Sequence, residues 1–271
     1  MGSMDRKQYL SIDSYKEAIE ILDKVVTGIL FSFAKHSAET KDVIISNFIA
    51  RAIVSLKGIM QLWQMRDYQD CWVLLRCILD RVFHLLVLAR DNTFELFEKW
   101  SFKERRDYVD KIRNDPDFMR KVDPNYFKKV DEQKQRYVAI SREKPRWKRP
   151  KAKVVAREMG LMPLYKYGYD FASTYVHPMA NDGHADFVRQ TNLTEPELFL
   201  DQRLIIHDSC LSVAFLIQEG LSSSTLRWDN LLYHFLKDFF GFLENGVTDY
   251  RVSFVKISEL IFSADLCEKT Q

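Results

Sequence analysis

The sequence predicts an all-α protein, a single large helical bundle of about eight to ten helices. Three observations carry this reading. Apolar residues recur at helical spacing almost from end to end. Gly (9) and Pro (7) are scarce in 271 residues, whereas a sheet-rich fold needs many turn residues. Hydrophobic residues make up 46% and aromatic residues 13%, which excludes disorder and supplies enough apolar surface for a substantial core.

The elements follow in order. Tyr15, Ala18, Ile19, Leu22, Val25, Val26, Ile29, Leu30 and Phe33 define an amphipathic helix over roughly residues 12–36. Val43, Ile44, Phe48, Ile53, Leu56, Met60 and Trp63 define a second, about 39–65. Asp67 is placed to cap a third, from Tyr68 to about Ala89, which is apolar on nearly every side and therefore central. Asn92 and Thr93 are placed to cap a fourth, to about Ile112, with a charged outer face over Lys103–Asp110. Asp115-Pro116 and Asp123-Pro124 are helix-start or turn signals, and a polar helix over roughly 124–142 follows. After the stretch 144–153 come a short helix near Ala152–Met159, a helix from about Leu164 to His177, and an irregular segment over 178–195. Glu195-Pro196 opens a long apolar helix to about Leu221, and two more, near 224–244 and 247–264, finish the chain. Each half needs the other's apolar faces, so one domain over 1–271, with a basic loop at 144–153 between its halves, is the economical organisation. Trp63, Trp72, Phe83, Leu85 and Phe215 are expected in the core.

The net charge of +2 leaves any attraction to nucleic acid to local clustering. Cys71, Cys77, Cys210 and Cys267 lack metal-ligand or redox spacing. They are compatible with a reducing compartment, and with no signal peptide in view a cytoplasmic location is expected. The apolar stretch Ile78–Ala89 is interrupted by Asp80, Arg81 and His84, so no membrane-spanning helix is expected. Neither a G-x-G-x-x-G nor a P-loop signature occurs, so no dinucleotide or phosphate-loop cofactor is expected.

Two polar series stand out against apolar helices. Trp72, Arg76, Asp80 and His84 are each four apart, on one face of the central helix. Tyr169, Ser173 and His177 repeat the spacing, and Pro178 stops that helix directly after the histidine. A buried arginine or aspartate must be paired, since desolvating a lone charge is costly. Arg76 and Asp80 therefore either pair with each other as a lock within the core or meet Tyr169, Ser173 and His177 from a facing helix. In the second case Asp80 orients His177 and Arg76 is left for an anion. His177, Asp182 and His184 lie within eight residues, but His-Pro-x-x-x-x-Gly-His is no ligand signature and no metal is assigned. His207 and His234, on apolar-periodic helices, read as core or boundary residues.

The order Leu-Leu-Arg-x-x-x-Asp (Arg76, Asp80), then Tyr-x-x-x-Ser-x-x-x-His-Pro (Tyr169, Ser173, His177, Pro178), resembles an uncharacterised all-helical bacterial family, a domain of unknown function, over roughly 40–220. That family usually has Glu at the position of Asp80. More distantly the chain is similar to HEPN domains, helical ribonuclease and nucleotide-binding modules of bacterial toxin and antiphage systems. Those nucleases carry Arg, four to six residues, then His on one helical segment. Arg203–His207, Arg81–His84 and Arg76–His84 leave three, two and seven residues between.

The stretch KPRWKRPKAK carries Lys144, Arg146, Lys148, Arg149, Lys151 and Lys153 around Trp147, with no acid before Glu158. It reads either as a solvated linker or as a phosphate-contacting segment in which Trp147 stacks on a base. Two function classes follow. In one, Arg76, Asp80, Tyr169, Ser173 and His177 form a metal-independent nuclease or nucleotide site, with His177 as general acid/base, Arg76 stabilising phosphoryl charge, and RNA or another nucleic acid as partner. In the other, the same residues are a buried structural network in a non-enzymatic module that binds a protein partner or a second copy of itself.

Overall fold

The first four helices form where periodicity places them. In the computed structural model the described residues are 9–36, 39–177, 180, 183–191, 201–226 and 230–268. Among them are α1 (Ile12–His36), α2 (Thr40–Gln64), α3 (Tyr68–Asp91), α4 (Phe94–Arg113), α5 (Pro116–Met119), α6 (Lys128–Asp131), α7 (Lys134–Glu143), α8 (Ala152–Glu158), α9 (Phe171–Ser173), α10 (His184–Gln190), α11 (Arg203–Ser223), α12 (Asn230–Asn245) and α13 (Arg251–Glu268). A 3₁₀ turn covers Pro124–Phe127, and a π-wound segment, Leu164–Asp170, leads into α9. No strand occurs among the described residues, and eight of these helices run to ten residues or more. The all-α class follows directly.

The chain divides into two compact units, one of residues 1–86 with 151–271 and one of residues 87–150. The first is built on α1, α2 and α11. Tyr15, Leu22 and Val26 of α1, Ile45, Ile49 and Leu56 of α2, and Ile206, Val213 and Ile217 of α11 are all buried, each contributing about 1.5–3 kcal/mol of transfer free energy. Gly220 permits close packing there, because a Cβ at that position would stand 2.9 Å from Ile45 and 3.2 Å from Ile49. By length and hydropathy α2 and α11 are each able to cross a membrane; in this fold they pack against each other. Asp42, fully buried, accepts from the Thr225 backbone N–H at 2.9 Å and from its hydroxyl. This ties the start of α2 to the chain leaving α11. His207 is buried, with its Nδ1 3.1 Å from the Tyr15 hydroxyl, whereas His234 is exposed.

On α3, Asp67 accepts from the Asp70 N–H at 3.2 Å, the expected N-cap. Trp72, Phe83 and Leu85 are buried. Trp63 and Phe215 are only half-buried, and Trp63 donates its indole N–H to the Gln202 carbonyl at 2.9 Å. The opening of the helix at Glu195-Pro196 lies outside the described residues.

The second unit holds α4 to α7. Asp115 caps α5 by accepting from the Asp117 and Phe118 N–H groups. The polar helix expected over 124–142 is instead three pieces, with a break at 132–133. Arg106, only 7% exposed, donates to the Val130 carbonyl at 2.5 Å. That competes with the helical ladder, and the Gln133 N–H closes back on Val130 in a tighter turn. α7 ends at Lys144 in the left-handed conformation (φ 49°), and residues 144–151 have no regular structure.

Candidate functional site

Four of the five residues expected in the polar cluster meet within the first unit. Gly168 is buried on the π-wound segment, where a Cβ would stand 2.9 Å from Leu79 Cδ1. The absent side chain lets this segment approach α3, and the next residue, Tyr169, then reaches Asp80. Arg76 donates from Nε to Ser173 Oγ at 2.9 Å, from Nη2 to the Tyr169 hydroxyl at 2.9 Å, and from Nη1 to Asp80 Oδ2 at 3.3 Å. Tyr169 donates its own proton to Asp80 Oδ1 at 3.0 Å, and Ser173 donates to the Tyr169 carbonyl at 2.6 Å. The guanidinium also lies over the Tyr169 ring, 4.7 Å from its centroid, and Phe83 meets that ring edge-on. Burial, and next the Asp80 carboxylate, push the Tyr169 phenol up to about 12.

His177 does not join. It is exposed, and among the described residues it makes no hydrogen bond or ion pair. The expected helix from Leu164 to His177 ends instead at Ser173. The N–H groups of Thr174, Tyr175 and Val176 bond three residues back, to Phe171, Ala172 and Ser173. The Thr174 hydroxyl takes the Phe171 carbonyl as well. This tightened turn, together with the restriction Pro178 places on its predecessor, removes His177 from the face that Tyr169 and Ser173 share. The i, i+4 relation holds for the first two residues and fails at the third.

Chemically, the cluster is a neutralised and largely committed network. Three of Arg76's five N–H donors are used, each Asp80 oxygen accepts one bond, and the tyrosine hydroxyl both accepts and donates. The Arg76 and Asp80 side chains keep 25% and 37% of their exposure, so the cluster is half-buried rather than sealed.

Beside it lies a feature that sequence reasoning missed. A cleft of about 230 Å3 is lined by Arg66, Trp72, Tyr175, His184, Asp186 and Arg189, among others. Tyr175 stacks on Trp72 at 6.0 Å and 7°, and Arg189 donates to the Arg66 carbonyl at 3.1 Å. Trp72 belongs to the α3 polar series and was the sequence signal for this side of the helix; the remaining residues come together only through folding. Of the His/Asp/His group near Pro178, Asp182 lies outside the described residues, and no cluster of metal-ligating side chains occurs among those described.

The basic segment divides by residue. Trp147 is buried, 7% exposed, against Phe97 at 4.7 Å and Trp100 at 4.8 Å within the second unit. The expectation that it stacks on a base is therefore corrected: its indole fills an aromatic cluster on α4, because burying that area is worth more than leaving it in water. Lys144, Arg146, Lys148, Arg149, Lys151, Lys153 and Arg157 are all exposed, with no ion pair among the described residues. Within the second unit Lys99 pairs with Glu143, Lys103 with Asp107, Arg113 with Asp131 and Arg136 with Glu98, while Arg105, Lys111 and Lys134 make no ion pair among the described residues. Residues 87–150 carry 18 Lys and Arg against 12 Asp and Glu, a net +6 that leaves the rest of the chain at −4.

Comparison with curated proteins and with solved structures returns no match. A family model, described as a family of unknown function (DUF5677), matches residues 42–192. That is a little over half of the chain, and it includes Arg76, Asp80, Tyr169, Ser173, His177 and the basic segment. By this match the chain belongs to that family of unknown function, DUF5677.

Proposed function

We propose that this protein is a non-catalytic binding protein for nucleic acid, RNA in the first instance, and that the Arg76/Asp80/Tyr169/Ser173 cluster is a structural clamp. The observation that carries the reading is the run of seven exposed cations from Lys144 to Arg157 without an ion pair among the described residues. Such charges repel one another and are stabilised by a phosphate backbone, whose condensed counterions they release. The buried Trp147 anchors the segment and leaves Arg146 and Lys148 on either side exposed. The segment therefore offers charge without a stacking platform, which favours engagement of backbone over readout of bases.

The clamp reading is favoured by the state of Arg76. Its charge is already neutralised by Asp80, so an incoming phosphoryl group would compete with an existing ion pair. With His177 outside the network, the ribonuclease reading lacks its general acid/base.

The test is a fluorescence-anisotropy titration of labelled single-stranded RNA and duplex DNA at several salt concentrations. Wild type is expected to bind with a marked salt dependence. The variant R146E/K148E/R149E should bind at least tenfold more weakly. Its log–log salt slope should fall by about 2, at roughly 0.7 for each phosphate that the three side chains neutralise. Absence of wild-type binding, or an unchanged slope in the variant, reduces the segment to a linker.

A further inference from the structure

We propose a phosphate-binding site on the α2–α3 hairpin, made by Arg51 and Arg81. The two helices run antiparallel, and their register is fixed at two points. Leu74 Cδ1 lies 3.3 Å from where a Cβ on Gly58 would stand, and the Cys71 thiol reaches the Ile59 carbonyl at 3.4 Å. Arg51 precedes Gly58 by seven residues and Arg81 follows Leu74 by seven. Seven residues are two helical turns, about 10.5 Å, which returns each residue to the face it started from. Both arginines therefore stand at one level on the facing sides of the hairpin.

Neither has a carboxylate in ion-pair contact among the described residues. Arg51 is exposed and makes no ion pair among the described residues, and α2 has no Asp or Glu after Asp42. The next α2 cation, Lys57, is engaged with Asp23 at 2.9 Å. Arg81 is half-buried, and among the described residues its guanidinium donates only to the Cys77 carbonyl of its own helix. The adjacent Asp80 is committed to Arg76 and Tyr169. Burial, and among the nearby charges Arg51, lower the proton affinity of Arg81, and the Asp80 carboxylate offsets this only in part.

A half-buried guanidinium with no carboxylate in contact is costly, and two at one level suit an anion whose oxygens reach both. A phosphate group carries up to two charges and enough acceptor oxygens to bridge two guanidinium forks. The ligand class is thus a phosphate group, borne either as a terminal phosphate or as a backbone phosphodiester. The site lies in the first unit and does not depend on the basic segment binding RNA.

The test is thermal melting of the full chain in a zwitterionic buffer with inorganic phosphate, AMP or the dinucleoside monophosphate UpU, each against sodium chloride at equal ionic strength. Wild type should gain at least about 3 °C at saturating phosphate. R51Q, at an exposed position that should fold normally, and R81Q should each lose that gain. R81Q without phosphate should melt no lower than wild type, because it removes a desolvated charge beside a like charge. A shift with UpU assigns the site to backbone phosphodiesters; a shift with phosphate and AMP alone assigns it to terminal phosphates. No phosphate-specific shift in wild type, or a shift retained in both variants, overturns the proposal.

Discussion

Replacing Tyr169 by Phe isolates what the polar clamp does. The phenol hydroxyl accepts from Arg76 at 2.9 Å and donates to Asp80 at 3.0 Å, while the ring packs edge-on to Phe83 and under the guanidinium. Tyr169→Phe keeps the ring and removes both hydrogen bonds. Bonds to charged groups contribute about 1.5–3 kcal/mol each, and the half-exposed partners recover part of this from water, so a net loss of about 2 kcal/mol is expected. For a unit of this size that lowers Tm by roughly 4–8 °C. The pH dependence gives a second readout. The folded phenol titrates at about 12 against an ordinary value of 10.0, a raised pKa. Its contribution is therefore complete below pH 10 and is lost as the pH rises towards 12. The stability gap between wild type and Tyr169→Phe, measured by urea denaturation, should be constant from pH 7 to 10 and shrink between 10 and 12. A variant melting within 1 °C of wild type, or a gap that widens at alkaline pH, refutes the clamp.

Three further substitutions separate structure from function. His177→Ala removes an exposed side chain with no partner among the described residues, so stability should change by less than about 0.5 kcal/mol and RNA affinity should stay the same; a nuclease activity present in wild type and abolished in this variant would restore the catalytic reading. Trp147→Ala empties the aromatic cluster with Phe97 and Trp100 and should destabilise the 87–150 unit by about 3–5 kcal/mol, seen as a lower denaturation midpoint, whereas R146E/K148E/R149E should melt like wild type. Asp42→Ala strands the N–H and hydroxyl of Thr225, at a cost of about 2–4 kcal/mol, measurable as a Tm drop with RNA affinity unchanged.

The all-helical class and the long helices were legible in the sequence, because the 3.6-residue period of apolar side chains is a local property that packing reinforces. So were the caps at Asp67 and Asp115, whose side chains bond backbone within their own turn. The partnership of Arg76 and Asp80 with Tyr169 and Ser173 was one of two arrangements that the spacing left open, since polar residues four apart in apolar helices can pair with each other or with a facing helix. Tertiary structure decided the rest. His177 sits outside the clamp because a sequence of hydrogen-bond choices at Thr174–Val176 tightens the turn, which a spacing rule cannot anticipate. Trp147 is buried because the partners waiting on α4 lie some fifty residues away in sequence. Composition alone reads an indole among lysines as exposed. The levels at which Arg51 and Arg81 stand follow from the α2–α3 register at Gly58 and Leu74. Local chemistry fixes which residues form helices and what ends them. Which charges end up facing each other without a partner is a property of how the helices pack.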